Sequence, residues 1–343
     1  MLAPLEAENE ALKKQNANNL AAYPNVLGEG ELELEITGIR QLTSRIRAYE
    51  LRDGQGGALP VVSGGSHLQI PIQLESGEQV LRHYSICSNP LRRDIYEIAV
   101  LHKDSGKASP AIHRYFQLGQ KINCSVPANY FSVHLDERPA MLIAGGIGIT
   151  PIKALAQQMS SRKLEFTLHY AGRQLQEMAF QGRLQREFGE RVHIYTTATR
   201  RMNVATLLNQ APKNSQIYAC GPQSLLDELL QQGKQLKIDP DRLHFERFGV
   251  DTTADNEAFS VQLARSGRQI NVSANETMLD ALLNADIAVP YSCTTGECKT
   301  CAMSLLEGEV IHRDNCLTTH EKDRGLFCPC VSRAKNDSIT MDI

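Results

Sequence analysis

The chain has 343 residues, enough for two or three domains at about 150 residues each. Hydrophobic residues make up 42% and charged residues 22%, a core-forming composition that excludes disorder over most of the length. The 36 Lys and Arg against 39 Asp and Glu leave a net charge of −3, so there is no basic footprint for nucleic acid or an anionic membrane. A small molecule or another protein is the expected partner.

The N-terminal stretch MLAPLEAENEALKKQ mixes acids and lysines where a secretion signal needs a basic patch followed by an apolar run. The uncharged run over 139–152 contains three glycines and is shorter than the about 20 residues that cross a bilayer as a helix. A cytoplasmic protein with no membrane segment is expected. Residues 1–28 read as an N-terminal extension, in which Leu2, Leu5 and Leu12 suggest a short helix before the turn-rich AYPNVLGEG. A solvated appendage is the plainer reading of it and a partner-binding helix the alternative.

From Glu31 the pattern becomes strict alternation. Leu32, Leu34 and Ile36 interleave with glutamates, and Leu68, Ile70, Ile72 and Leu74 repeat the period of a half-buried strand. ESGE at 75–78 supplies a hairpin turn, and YEIAV and KINCSV continue the theme. Residues 29–137 are expected to form an antiparallel β-barrel or sandwich.

After Arg138 apolar runs alternate with amphipathic helices: AMLIAGG, LEFTLHYAG, VHIYTTAT and QIYACG each precede a helical segment, and DRLHFERF reads as a last strand. This is the pattern of an α/β parallel-sheet nucleotide domain over 138–249. The polar GVDTTADNEA then marks a linker at 250–258. A small third unit over 259–343 opens with a hairpin in FSVQLARSGRQINV, continues with a helix over 276–285 and leads into a cysteine loop.

That loop carries the most specific signal. Nine cysteines are present, and Cys293, Cys298 and Cys301 form C-x4-C-x2-C, with Cys330 farther along. This is the ligand spacing of a plant-type [2Fe–2S] cluster: three thiolates on one tight loop wrap two irons, and a fourth arrives from elsewhere. Zinc and a thioredoxin-like CKTC redox pair are the competing chemistries, but neither the paired C-x2-C units of zinc sites nor a βαβ context is present. FCPCVSRA offers both Cys328 and Cys330 as the fourth ligand, and Cys316 is a distant third.

Two further segments point to cofactors. RHYS, Arg82 to Ser85, puts a cation, an aromatic ring and a hydroxyl on one strand, which suits a phosphate, a planar ring and a ring nitrogen. Alone it equally fits a solvated arginine beside a core tyrosine. AGGIGITP, Ala144 to Pro151, follows an apolar strand and precedes the helical IKALAQQM, so its glycines allow a dinucleotide phosphate to approach the backbone at a helix N-terminus. It lacks the GxGxxG order. In YACGP, Tyr218 to Pro222, Cys220 is either a packed small residue or one that faces a nicotinamide.

With RHYS, AGGIGITP, YACGP, HFERF and C-x4-C-x2-C…CVSRA in this order, residues 30–343 resemble the phthalate dioxygenase reductase family of Rieske-oxygenase reductases. The resemblance implies an FMN-binding β-barrel, an NADH-binding α/β domain and a C-terminal β-grasp [2Fe–2S] ferredoxin domain. It implies Arg82 for the FMN phosphate, with His83 between it and Tyr84 and Ser85, which place the isoalloxazine and its N5 edge. Ala99, Val100 and Leu101 fall on the strand that supplies backbone contacts to the flavin. Ala108 and Ser109 fall near its phosphate, although GKASP is one residue shorter than the family's stretch.

For the pyridine nucleotide the resemblance implies Gly145, Gly146, Gly148 and Thr150 at the phosphate and nicotinamide turn, and Cys220 and Gly221 on the nicotinamide side. Phe248 would be the flavin-covering aromatic, with Tyr170 and Arg173 near the adenosine. Arg200 and Arg201 raise a 2′-phosphate, or form a solvated loop; NADH is the expected donor. Ser85, Cys220 and Phe248 would flank the hydride transfer. Cys293, Cys298, Cys301 and Cys330 would hold the cluster, and Lys299 departs from the family by adding charge beside it.

A hydride donor and a one-electron cluster need a flavin between them, because a flavin handles both electron numbers. The implied function is an NADH-dependent reductase that feeds a separate terminal oxygenase. The alternatives are a reductase with another acceptor, such as a diffusible ferredoxin, and a non-enzymatic redox sensor.

Overall fold

The computed structural model describes residues 23–104, 106–248, 256–291, 293–314 and 316–343. Residues 1–22 of the expected extension and 250–255 of the expected linker lie outside the described residues. Two compact units divide after Phe245.

The first unit begins with strands β1 (Val26–Leu27), β2 (Leu32–Gln41), β3 (Ile46–Asp53), β4 (Ser66–Gln73), β5 (Gln79–Ser85) and β6 (Tyr96–Leu101). Helix α1 (Ala108–Tyr115) and strands β7 (Lys121–Cys124) and β8 (Ala128–Asn129) follow. They form two sheets, ordered β1-β7-β2-β3-β6 and β5-β4-β8. The alternation read from the sequence decides the inside: Leu34, Ile36, Tyr49, Leu51, Ile70, Ile72, Tyr96 and Ile98 are buried in one core. Each such side chain contributes about 1.5–3 kcal/mol of transfer free energy, which fixes the register because a one-residue slip would turn the whole set outward. The ESGE turn is present between β4 and β5, with Gln73 paired to Gln79. Gly77 supplies its left-handed residue at φ +87°.

The same unit continues with β9 (Ala140–Gly145), α2 (Ile149–Ser161), β10 (Phe166–Gly172), α3 (Gln181–Phe188) and β11 (Val192–Thr196). Then come α4 (Val204–Gln210), β12 (Gln216–Cys220), α5 (Gln223–Gln235) and β13 (Leu243–Glu246). The sheet order is β11-β10-β9-β12-β13, and β9 through β12 pair in parallel. Every residue of β9 is buried, as a central strand covered on both faces requires. From β9 the chain runs outward to β10 and β11, then returns to the other side as β12, so the order reverses between β9 and β12. In open α/β sheets this switch point, at the carboxyl ends of the strands, is where ligands bind. Helix α2 starts at Ile149, three residues before the expected IKALAQQM, because Pro151 is tolerated in a first turn whose N–H groups have no helical partner.

The barrel and the parallel sheet share a core. Ile46, Cys87, Ala99, Phe131 and Val133 from the barrel cluster with Leu142, Ile149, Ile152 and Leu155. Gly64 of the barrel lies so close to α2 that a Cβ there would meet Leu155 N at 2.9 Å.

The second unit contains β14 (Phe259–Leu263), β15 (Gln269–Val272), α6 (Met278–Asn284), β16 (Met303–Glu307) and β17 (Val310–Ile311). Helix α7 (Thr319–Asp323), β18 (Leu326–Phe327), β19 (Arg333–Ala334) and β20 (Ser338–Met341) complete it. The main sheet runs β15-β14-β20-β16-β18, with β14 and β20 parallel inside otherwise antiparallel pairings. Helix α6 is capped by a Thr277–Asp280 capping box and buries Met278, Leu279, Ala281 and Leu282 against the sheet, the β-grasp arrangement. The buried Arg333 of CVSRA donates to the carbonyls of Glu257, Ser273 and Glu276 at 2.9–3.0 Å and lies over the Phe259 ring. That arginine is a structural clasp.

Candidate functional site

In the cysteine loop, Cys293, Cys301 and Cys330 are buried and Cys298 is half-buried. The Cys301 and Cys330 sulfurs lie 3.3 Å apart, and Cys328 faces Cys301 as well, so the chain brings both candidates for the fourth cysteine onto the loop. Thr295 and Glu297 donate backbone N–H groups to Cys293 Sγ at 3.4 and 3.3 Å, and Cys293 N donates to Cys298 Sγ at 3.4 Å. Left-handed residues at Thr294, Gly296 and Lys299 bend the loop inward. Gly296 is required: a Cβ would meet Val331 Cγ2 at 2.8 Å and Asp314 Cα at 3.0 Å. Clustered thiols with amides directed at their sulfurs suit an anionic iron–sulfur cluster. Lys299 does not leave an unbalanced charge there, since its Nζ pairs with both Glu321 oxygens at 2.8 Å. The ion pair holds the Glu321 carboxyl down at about 2.

At the switch point, Gly145 to Gly148 and Cys220 to Gly221 meet. A Cβ on Gly148 would fall 2.2 Å from Cys220 O, and one on Gly221 would fall 3.0 Å from Gly145 Cα. These three glycines are therefore used by close packing of the two turns. Gly146 differs: its φ is +55° and a Cβ would face open space, so its backbone is approachable from outside. Thr150 is buried and its hydroxyl donates to Ile147 O at 3.0 Å, closing the turn. Arg173 is exposed just past β10, at the same sheet edge.

Two expected nucleotide contacts need correction. Tyr170, expected near the adenosine, has 0% exposure and packs among Leu168, Met178 and Leu184 in the core, so a ligand does not reach it in this conformation. Cys220 is also at 0% exposure, because Gly148 packs over its backbone. Of the two readings of Cys220, the structure places it as a packed small residue.

On β5, Arg82 is exposed, makes no ion pair among the described residues and donates to Leu81 O at 2.8 Å. Tyr84 is half-buried against the barrel core and its phenol is pushed up by burial. His83 stacks edge-to-face on His67, and burial lowers both, His67 to about 4. Ser85 is buried at the strand end. Two residues on, Cys87 N donates to Glu97 O at 2.7 Å, which brings β6 with Ala99, Val100 and Leu101 beside that end. Ala108 is buried in α1, and Ser109 Oγ accepts from Lys103 N at 3.0 Å, so that hydroxyl already closes its own loop. Phe248 is 38% exposed, just past β13.

One group of residues escaped the sequence reading. Lys153, on α2, is 0% exposed; its Nζ bonds the Cys87 carbonyl and lies 3.7 Å from the buried Glu97 carboxylate. Arg40 bonds the same carboxylate, and Arg183 lies 3.8 Å from it. This network ties the helix after the glycine turn to the two strands at the end of RHYS. Its only sequence signal was a lysine at an apolar position of α2.

Two family models match: an oxidoreductase FAD-binding domain over residues 33–132 and a 2Fe-2S iron-sulfur cluster binding domain over 261–335. The heme-dependent oxidative N-demethylase beta subunit of Ectopseudomonas mendocina is 37% identical over 91% of this chain and 99% of its own length. The vanillate O-demethylase oxidoreductase of Acinetobacter baylyi is 34% identical over 91% and 99%. The solved structure of phthalate dioxygenase reductase superposes with a TM-score of 0.69 at 31% identity, over 91% of this chain and 98% of that one. With flavin and cluster domains in the same order and relatives matched end to end, the chain belongs to the phthalate dioxygenase reductase family, the reductase components that move electrons from a pyridine nucleotide through a flavin domain and a 2Fe-2S domain in oxygenase systems.

Proposed function

We propose that this reductase takes its electrons from NADH, holds them on FMN and passes them through its [2Fe–2S] cluster to a separate terminal oxygenase. The observation that carries this reading is the cysteine loop, with Cys301 and Cys330 sulfurs in contact and three backbone amides directed at cysteine sulfurs. When bound, a flavin accepts the electron pair of a hydride and releases electrons singly, which an iron–sulfur cluster can carry.

The chain's own work is placement. Arg82, without a carboxylate partner among the described residues, is free to meet the FMN phosphate. Tyr84 and Ser85 orient the ring, and the backbone of Ala99 to Leu101 lines it. Gly146 gives the pyridine nucleotide its approach. Cys293, Cys298, Cys301 and Cys330 ligate the irons, with Lys299 neutralised by Glu321.

The name of the 37% identical relative, a heme-dependent oxidative N-demethylase beta subunit, supports a heme-dependent partner as a second acceptor class beside the Rieske-type one. Reconstitution tests both. The purified holoprotein with NADH should support turnover by a terminal oxygenase of one class. Cys330→Ser should abolish that turnover while NADH-dependent ferricyanide reduction through the flavin continues. Equal turnover by Cys330→Ser would contradict the cluster's place in the chain of transfer.

A further inference from the structure

Six cysteines lie between Cys293 and Cys330, and four of them are the cluster ligands of the reading above. The other two meet. Cys316 Sγ and Cys328 Sγ are 3.6 Å apart, in van der Waals contact, against about 2.05 Å for a disulfide. They differ in access: Cys316 is partly exposed, whereas Cys328 has none of its surface exposed. Both backbones are held in place, Cys316 N donating to Gly296 O at 3.2 Å and Cys328 O accepting from Val331 N and Ser332 N at 3.2 and 2.9 Å. Side-chain rotation is what remains to close the gap.

Asp314 adds a carboxylate oxygen within 4.8 Å of both sulfurs, a set that raises the question of a cation. Its oxygens are already taken: Lys322 Nζ lies at 3.1 Å, Leu317 N at 3.2 Å and His312 Nδ1 at 3.3 Å. With an ammonium group seated on the carboxylate, the thiol that Cys316 meets is that of Cys328, which on its other side faces the ligand Cys301.

We propose that Cys316 and Cys328 form a dithiol which a low-molecular-weight disulfide oxidises reversibly to a protein disulfide, distinct from the four cluster ligands. Cys316, the accessible thiol, attacks the oxidant RS–SR, giving a mixed disulfide and one RSH; the Cys328 thiol then attacks the Cys316 sulfur and releases the second RSH. Two protein thiols lose two electrons and two protons, and RS–SR gains both. The new bond closes a ring that contains α7 and Glu321, the partner of Lys299 on the cluster loop.

The inference rests on Cys330, and not Cys328, being the fourth ligand. The test treats the holoprotein with oxidised glutathione, denatures it, blocks thiols with N-ethylmaleimide and maps peptides by mass spectrometry, with iron, sulfide and the visible spectrum measured on the same sample. The expected result is a Cys316–Cys328 linked peptide, two fewer blocked thiols, no retained glutathione, unchanged iron and sulfide, and return of both thiols with dithiothreitol. Cys328→Ser should keep its cluster and trap glutathione on Cys316. Glutathione held on Cys316 of the unsubstituted protein, or both cysteines blocked as thiols, with the cluster intact, would overturn the proposal alone. Loss of the cluster in Cys328→Ser would overturn the ligand assignment beneath it.

Discussion

Lys153 is the residue whose place is hardest to anticipate from its surroundings. A fully buried ammonium is tolerated only where its charge is met, and Glu97, the Cys87 carbonyl and the face of Phe180 at 5.1 Å meet it. Lys153→Met keeps most of the stem and removes the charge. Removing one partner of a buried pair costs about 3–5 kcal/mol, and the remaining Arg40 and Arg183 at Glu97 place the expected loss near the low end, about 3 kcal/mol. Denaturant unfolding checks it; a loss below about 1 kcal/mol would contradict the reading. The network was not legible in the sequence for a physical reason. Glu97 in YEIAV occupies the alternate position of a strand, which ordinarily faces water, and only the docking of α2 on the barrel turns that face inward. Tyr170 misled in the opposite sense: the family resemblance implied a contact near the adenosine, while its ring fills the core.

At the scale of elements, most of the fold was legible. Period-2 alternation marked β2 and β4, uncharged apolar runs marked β9 and β12, and the C-x4-C-x2-C spacing marked the cysteine loop. What the sequence did not separate is which glycines serve packing and which serve a ligand. Gly148→Ala would drive a Cβ to 2.2 Å from the Cys220 carbonyl, and backbone on both sides has little room to give. The expected outcome is flavin content near normal with at least a tenfold loss in kcat/KM for NADH, and steady-state kinetics beside flavin absorbance check it. Unchanged kinetics would mean that the two turns need not meet.

Strands β4 and β10 also carry a pH dependence. His67 and His169 are held neutral by burial, with neighbouring His83 and His193 adding to the effect, and both are pushed down from 6.5 to about 4. The unfolded chain therefore binds more protons than the fold between these values. Stability falls as pH drops from about 6.5 towards about 4 and levels off below, by up to about 1.4 kcal/mol per pH unit for each histidine. Thermal unfolding from pH 7.5 to 5 should show a falling Tm, and His67→Gln should reduce the slope. A Tm that rises on acidification through this range would contradict the assignment.

At the scale of the whole molecule, each part holds a different task. The first unit pairs a barrel with a parallel sheet through one shared core, which sets the glycine turn and the end of RHYS on a common framework. The second unit has its own core, built around α6 and the strand leading to Cys330. The sequence made the succession of modules legible because each change of periodicity coincides with a change of sheet type. It did not make the shared core legible, because the residues that form it are separated along the chain and individually resemble any other buried aliphatic. This succession is an electron path from pyridine nucleotide to flavin domain to 2Fe-2S domain. Its most direct test is an anaerobic titration of the purified holoprotein with NADH, followed by visible and EPR spectroscopy, with flavin, iron and sulfide quantified. The expected result is one flavin and about two irons and two sulfides per chain, bleaching of both chromophores by NADH and the EPR signal of a reduced [2Fe–2S] cluster. Zinc in place of iron, or a flavin that bleaches while the cluster stays oxidised, would contradict it.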